Sequence, residues 1–430
     1  MEPITGIPAI LAMLAKVVAI FTAVMIVVAY TTYAERRISA WIQDRSGPNR
    51  VGPFGLLQPI ADGLKNILKE ETMPATANLF WFVLGPMLTI IPALIAIAVV
   101  PFAAPLPTPW GVVDMVVADV PIGVLWVLAV SSLGVYGVVI SGWASNNKYA
   151  FLGALRASAQ LVSFEVALGL ALIATLMLAG NVSLTEMVWQ QQQLDWWYAF
   201  PLSLAFILFV IAAFAETNRL PFDMPEAESE LVTGYHTEYS AMKFSMFFIA
   251  EYAHMMTASA LMATLFLGGW DIPFATWDDA YYWQGQYISG FDEAGAPIAA
   301  SLAVWKSLAT YVVFSLKTGF FLFLYIWVRW TLPRFRYDQV MTLGWKVLLP
   351  VSLGYVMIVA SAILVLDYLG VAYGFLFGLV LTVISGLCTI GFLFFLDRDR
   401  VIAGAAVPHR LDRPVRMPDT RVPDTAIQGD

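Results

Sequence analysis

Long apolar runs, parted by short polar stretches, set the pattern of this chain. Nine runs predict membrane-crossing helices, over residues 7–33, 78–103, 121–141, 157–180, 198–215, 239–269, 303–328, 347–366 and 371–396. Each is close to or above the roughly 20 residues that a bilayer requires. Inside lipid every backbone group must be bonded within its own segment, so the expected fold class is an all-α polytopic membrane protein. Segment 34–77 breaks the pattern. In GLLQPIADGLKNILKEE, starting at Gly55, residues Leu57, Ile60, Leu64, Ile67 and Leu68 recur at helical spacing, with Asp62, Lys65, Lys69 and Glu70 on other faces. That is an amphipathic helix suited to the membrane surface. Segment 270–302 is rich in Trp, Tyr and acids, a composition that also suits the interface. The Pro- and Arg-bearing tail from Asp397 reads as flexible.

Composition sharpens this reading. The 430 residues are 60% hydrophobic and 13% charged, with mean hydropathy +0.74. A soluble domain carries about a quarter charged residues, so that class is excluded. The single cysteine, Cys388, excludes a disulfide framework or a cysteine-ligated cluster within the chain. His236, His254 and His409 show no metal-site spacing. The first run is too long, and lacks the basic start, for a cleavable signal peptide. Of the 23 Lys and Arg residues, all but Lys16, Lys306 and Lys317 lie in segments 34–77, 142–156, 216–243 and 329–346 or in the tail. The alternate segments 104–120, 181–197, 270–302 and 367–370 carry no Lys or Arg but do carry acids such as Asp114, Asp195, Asp278 and Asp279. The positive-inside rule then puts the N-terminus outside and the large polar loops, with the tail, in the cytoplasm. An odd number of spans agrees with that placement.

Charges inside spans are expensive, roughly 2.5–3.5 kcal/mol each on insertion scales, and so mark candidate functional groups. Glu165, Glu251, His254, Lys306, Lys317 and Lys16 fall in spans. Glu251 and His254 are three apart and share a helix face. Lys306 and Lys317 share a stripe with Thr310 between them. Lys16 reads as structural; Glu165, Glu251 and Lys317 read as functional. The stretch AETNRLPFDMPEAESELVTGYHTEYS gathers Glu216, Asp223, Glu226, Glu228, Glu230 and Glu238 around Arg219. Pro221 and Pro225 interrupt any helix there. Such acids can be a solvated face or a helix start. Packed together in a re-entrant loop, they would raise one another's proton affinity and handle protons near neutral pH.

Four motifs carry a resemblance. QDRSGPNRVGP from Gln43 follows Glu35-Arg36-Arg37 and precedes the amphipathic segment; GWASNNKYAFLGALRASAQLVSFE starts at Gly142. The acidic stretch with EYSAMKF, and RWTLPRFRYDQVMTLGWKVLLP from Arg329, complete the set. In order and topology, over about residues 16–366, the chain resembles the H subunit of respiratory complex I, the quinone-site membrane component of proton-pumping NADH:quinone oxidoreductase. The resemblance implies that Glu35, Arg36, Asp62 and Lys65 line a quinone chamber guarded by Arg329 and, less firmly, Arg334. It implies a coupling chain that starts at Glu216, Glu226, Glu228, Glu230 and Glu238 and runs inward through Glu165 and Glu251. Quinone is then a substrate, and this chain binds no redox cofactor or metal itself. The iron–sulfur clusters and FMN belong to hydrophilic partner subunits, and small membrane subunits and lipids complete the partners, with no nucleic acid. The implied location is a bacterial inner membrane.

Residues 1–370 form the family-like domain, 371–396 an extra helix and 397–430 the tail. The extra helix departs from the family, which ends after eight spans. Segment 270–302 is longer than expected, Phe164 stands where tyrosine is common, Ala241 where glycine is common, and His254 where an uncharged polar residue is common. Gly47, Pro48, Asn49 and Gly52 shape a loop by turn chemistry. Two other readings compete: a related subunit of an energy-converting hydrogenase, and a stand-alone ion transporter. The absence of a clear inverted repeat argues against the transporter.

Overall fold

The computed structural model describes residues 7–194, 196–225, 232–272, 275, 277–283, 286–291 and 297–397. Helix α1 (Ile7–Ile42) has 36 residues. At 1.5 Å per residue it is about 54 Å long, well beyond the ~30 Å hydrocarbon core. Its last turns therefore carry Glu35, Arg36 and Arg37 clear of the apolar layer. The short surface helix α2 (Gln58–Leu68) follows. Next come α3 (Leu79–Ala96), α4 (Gly123–Ala144), α5 (Lys148–Ala179), α6 (Leu184–Leu194), α7 (Ser203–Glu216) and α8 (Ala241–Phe266). The chain continues through α9 (Val304–Thr331), α10 (Tyr337–Thr342), α11 (Leu349–Tyr368) and α12 (Phe375–Asp397). A π-helical turn, Leu343–Leu348, joins α10 to α11 without a break.

Among the described residues, nine helices match the nine expected spans: α1, α3, α4, α5, α7, α8, α9, α11 and α12. Seven spans, counting α10 and α11 as one, are long and apolar enough to cross a membrane. The other two differ for physical reasons. Helix α7 has only 14 residues, about 21 Å, because the chain leaves the helix at Thr217 to form the acidic loop. Helix α8 has 26 residues but carries Lys243, Glu251 and His254, which dilute its hydropathy. Helix α5 starts at Lys148, ahead of the expected 157, because the Asn147 side chain caps it by accepting from Tyr149 N–H at 2.9 Å.

Helix α5 runs through the core, packed on α4, α7 and α11, while α8 bridges α1, α3 and α9. Phe164, Leu168 and Leu172 of α5 meet Leu208 and Phe209 of α7 and Met262 and Phe266 of α8 in one buried cluster. Helices α3 and α4 approach closely because Gly137 presses on Thr89 and the Gly85 backbone, where any Cβ would collide. Two small antiparallel sheets cover one end of the bundle. Strands β1 (Leu106–Thr108) and β2 (Gly111–Val113) pair Leu106 with Val113. Strands β3 (Tyr281–Trp283), β4 (Gln286–Phe291) and β5 (Pro297–Ala299) form the second sheet. The charged loops collect at the opposite end.

Candidate functional site

At the charged-loop end, α1, α2, α8 and α9 enclose a cavity of about 770 Å³. Its wall is mostly apolar, with Met25, Val28, Phe244, Phe248 and Ile249 among the lining residues. Glu35, Arg36, Asp62, Lys65 and Arg329 are the charged groups named from the sequence, and all five line it. The loop before α2 fixes this geometry. Gly55 adopts φ 81°, which no side chain tolerates well, and lies hard against the Pro48 carbonyl. Arg37 donates to that same carbonyl at 3.0 Å, and Tyr33 donates to the Phe54 carbonyl at 2.7 Å. So anchored, α2 presents Asp62 to Arg36 at 2.6 Å, with Lys65 at 3.9 Å and Gln58 donating at 3.1 Å. Its apolar side chains Ile60, Leu64, Ile67 and Leu68 are more than half exposed, as the amphipathic pattern predicts for a surface helix.

Deeper in, the charges are buried and bridged. Glu35 is 5% exposed and Arg219 8%. Arg219 holds Glu35 at 3.2 Å through one terminal nitrogen and Glu251 at 2.6 Å through Nε. Its guanidinium also stacks 4.3 Å from the Tyr252 ring. Tyr252 and Arg329 both donate to Glu35. One planar cation thus neutralises two carboxylates from different helices, a task that suits a guanidinium better than an ammonium. The loop carrying Arg219 is tied back by Gln160, which donates to the carbonyls of Ala215 and Phe222 at 2.8 Å each and to Asn218 Oδ1 at 3.2 Å. Arg334 pairs with the buried Asp223 at 2.8 Å.

Glu251 faces two ways. Besides Arg219 it lines an inner cavity of about 50 Å³, shared with Glu165, Glu216 and His254. A further cavity of about 30 Å³ adjoins, lined again by Ser131, Glu216, Thr217 and His254. A polar cavity of roughly 10–15 Å³ holds one water, so the first has room for hydrogen-bonded water between its carboxylates, whereas the second is lined mostly by apolar side chains.

A family profile described as NADH dehydrogenase matches residues 15–360. The first H subunit of the NADH-quinone oxidoreductase of Cytophaga hutchinsonii is 46% identical over 348 residues, 81% of this chain and 95% of that protein. The H subunit of the Rickettsia bellii enzyme is 48% identical over 355 residues, 82% of this chain and 94% of its own. The chain 1 protein of NADH-ubiquinone oxidoreductase from Chondrus crispus is 48% identical over 360 residues, covering 84% and 99%. The chain belongs to the H-subunit family of NADH-quinone oxidoreductase. Its apolar helices make it a multi-pass membrane protein. The family profile ends within α11, so α12 lies beyond it.

Within this member of the H-subunit family, the remaining sequence candidates scatter. Glu238 lines none of these three cavities and accepts from Asn147 at 2.5 Å. Glu226, Glu228 and Glu230 lie outside the described residues. Lys317 sits at the strand-bearing end, donating to the carbonyls of Leu267 and Asp271 and lying 4.6 Å from the Trp197 ring. Lys16 has the structural place expected of it, donating to the carbonyls of Asp114 and Val116 at 3.1 and 2.7 Å. Glu251 and His254 do share a face, and both reach the inner cavity. Lys306, by contrast, turns to Ser301. Sequence reasoning did not single out Arg219 or Tyr252. A lone arginine inside an acidic stretch was the available signal, since a buried carboxylate needs a cation.

Proposed function

We propose that the large cavity is the quinone chamber, and that Glu35, Arg36, Asp62, Lys65 and Arg329 bind or admit the quinone head. The observation that carries this reading is the convergence of all five on one 770 Å³ space with an apolar wall. Such a space suits an isoprenoid ligand with a polar head. The charged-loop end then faces the bacterial cytoplasm, where hydrophilic partner subunits bring electrons from FMN through iron–sulfur clusters. The strand-bearing end and the N-terminus face outward. Two electrons put negative charge on the quinone in the chamber, and two protons then neutralise it as the quinol. Glu35, held by Arg219, Arg329 and Tyr252, feels that charge first. Arg219 passes the change to Glu251, because a guanidinium drawn toward one carboxylate is drawn away from the other. Glu251 then exchanges a proton with Glu165 and Glu216 across the inner cavity. The acids Glu226, Glu228, Glu230 and Glu238 serve as the entry to this chain, and Lys317 as a charge at its outer end. Residues 1–370 carry the whole device, with 371–396 an added helix and 397–430 a cytoplasmic tail.

The test uses assembled complex in membrane vesicles. Asp62→Asn, which removes the partner of Arg36 and Lys65, should raise the quinone KM about tenfold, the effect of roughly 1.4 kcal/mol. Reduction of a water-soluble acceptor at the hydrophilic subunits should stay unchanged. An unaltered quinone KM would remove α2 from the chamber.

A further inference from the structure

The two cavities beyond the buried ion pairs share part of their lining. Ser131, Glu216, Thr217 and His254 line both of them. The two hydroxyls of this shared wall are spent on their own helices: Ser131 donates to the Leu128 carbonyl at 3.1 Å, and Thr217 to the Ala213 carbonyl at 3.0 Å. Glu216 and His254 are left as the groups of the wall that can exchange a proton. His254 lies three residues beyond Glu251 on α8, about 4.5 Å further from the charged-loop end. Its Nε2 lies against α4, where a Cβ added at Gly134 would stand 3.5 Å away. Among the described residues, no hydrogen-bond partner holds its ring nitrogens. The titratable groups that face the first cavity with it are Glu165 from α5, Glu216 from α7, Glu251 from α8 and Tyr235 from the turn before α8. Among the described residues, α3 and α4 bring none, and the second cavity adds none.

We infer that His254 is a further proton carrier of the coupling path and takes up the proton that Glu216 releases. The inference rests on the carboxylate path proposed above and lengthens it by one site. The proton leaves the carboxyl oxygen of Glu216 and binds the lone pair of a neutral His254 ring nitrogen, which leaves a carboxylate and an imidazolium. No other bond changes. The net charge of the pair is unaltered, so the transfer avoids a lone charge inside the bundle, which burial makes costly. Glu251 then refills Glu216 across the first cavity. The second cavity gives the imidazolium no titratable acceptor among the described residues, so the proton is held rather than leaked onward. Once Glu216 is refilled, the imidazolium loses its counter-charge and hands its proton to water in the first cavity. Imidazole suits this task because one ring nitrogen takes a proton while the other can give one up.

Assembled complex in membrane vesicles tests this with His254→Asn, which keeps a polar side chain but no proton site. The variant should move fewer protons per electron, with the quinone KM unchanged because His254 does not line the chamber. Infrared difference spectra between resting and quinone-reducing complex supply a second readout. Wild type should show an imidazole-to-imidazolium change that shifts on labelling histidine with nitrogen-15, and the variant should lose it. If His254→Asn fails to assemble, His254→Gln carries the same comparison. Wild-type stoichiometry in the variant overturns the inference. A lower stoichiometry with every histidine band retained also overturns it, since His254 would then act through packing alone. Glu251→Gln measured alongside tells the two readings apart. If it too pumps as wild type, the carboxylate path itself fails; if it pumps less while His254→Asn does not, the path stands without the histidine.

Discussion

Replacing Arg219 by alanine would leave Glu35 and Glu251 buried with the cation between them gone. Glu35 would keep Arg329 and Tyr252, but Glu251 would lose its 2.6 Å ion pair. Breaking a buried pair by removing one partner costs about 3–5 kcal/mol, far more than the loss of a surface pair. Arg219→Ala is therefore expected to reduce assembled complex on a native gel and to lower its melting temperature. The control is Arg36→Ala. Its pair with Asp62 is more than half exposed on the arginine side, and its loss should cost under about 1 kcal/mol and leave assembly intact. Equal stability of the two variants would show that Arg219 does not bear the buried charge balance. Tyr252 adds to the same balance, since its hydroxyl donates to Glu35 while its ring faces the guanidinium.

Helix α12 shows how an added element can be bound tightly yet stand clear of the chemistry. Its Leu381 is 1% exposed, and polar contacts stitch it to its neighbours, Thr389 to Ser203 at 2.9 Å and Ser385 to Tyr355, while Tyr373 just ahead of it meets Tyr198 at 3.2 Å. Among the described residues, none from α12 lines the chamber or the two inner cavities. Truncation after Gly370 uncovers the outer side of the short α7. The truncated complex should melt lower, by about 2–4 °C for each kcal/mol lost, while its quinone KM stays at the wild-type value. A changed KM would tie α12 to the chamber. Elements of this kind were the most legible part of the sequence, because an apolar run of bilayer length has few other fates. Helix ends were less so: Lys148 and Arg156 bracket the first turns of α5 and made them read as a loop, yet Ala150, Gly153 and Ala154 are buried there by packing that no local pattern reveals. The sheet of β3 to β5 was hidden in a loop read only as interfacial. At the site, burial cost alone exposed Glu165 and Glu251, whereas Glu35, Arg36, Asp62 and Lys65 rested on the resemblance. Arg219 stood out only as a lone arginine among acids; which acids it bridges was illegible, since they lie 184 and 32 residues away and only the fold unites them.

Across the whole molecule, the charges form a graded series. Exposed Arg36 and Lys65 with half-buried Asp62 ring the mouth of the large cavity, buried ion pairs stand at its floor, and a small cavity opens beyond them beside Glu165, Glu216 and His254. Among the described residues, Glu251 is the carboxylate common to the buried pairs and the inner cavity. On the proposed function, that position separates quinone binding from proton transfer, which other substitutions would damage together. Glu251→Gln keeps the shape and a hydrogen-bond acceptor for Arg219 but can neither hold nor release a proton. It also removes one negative charge from the bridge, so Arg219 should settle on Glu35 and leave the chamber floor intact. Quinone reduction by assembled Glu251→Gln complex is then expected to persist, with proton translocation per electron clearly lower. Both are read in one vesicle preparation, by acceptor consumption and by a pH-sensitive dye. If rate and stoichiometry both match the wild type, protons do not pass through Glu251. If reduction stops as well, Glu251 belongs to the chamber rather than to the path beyond it.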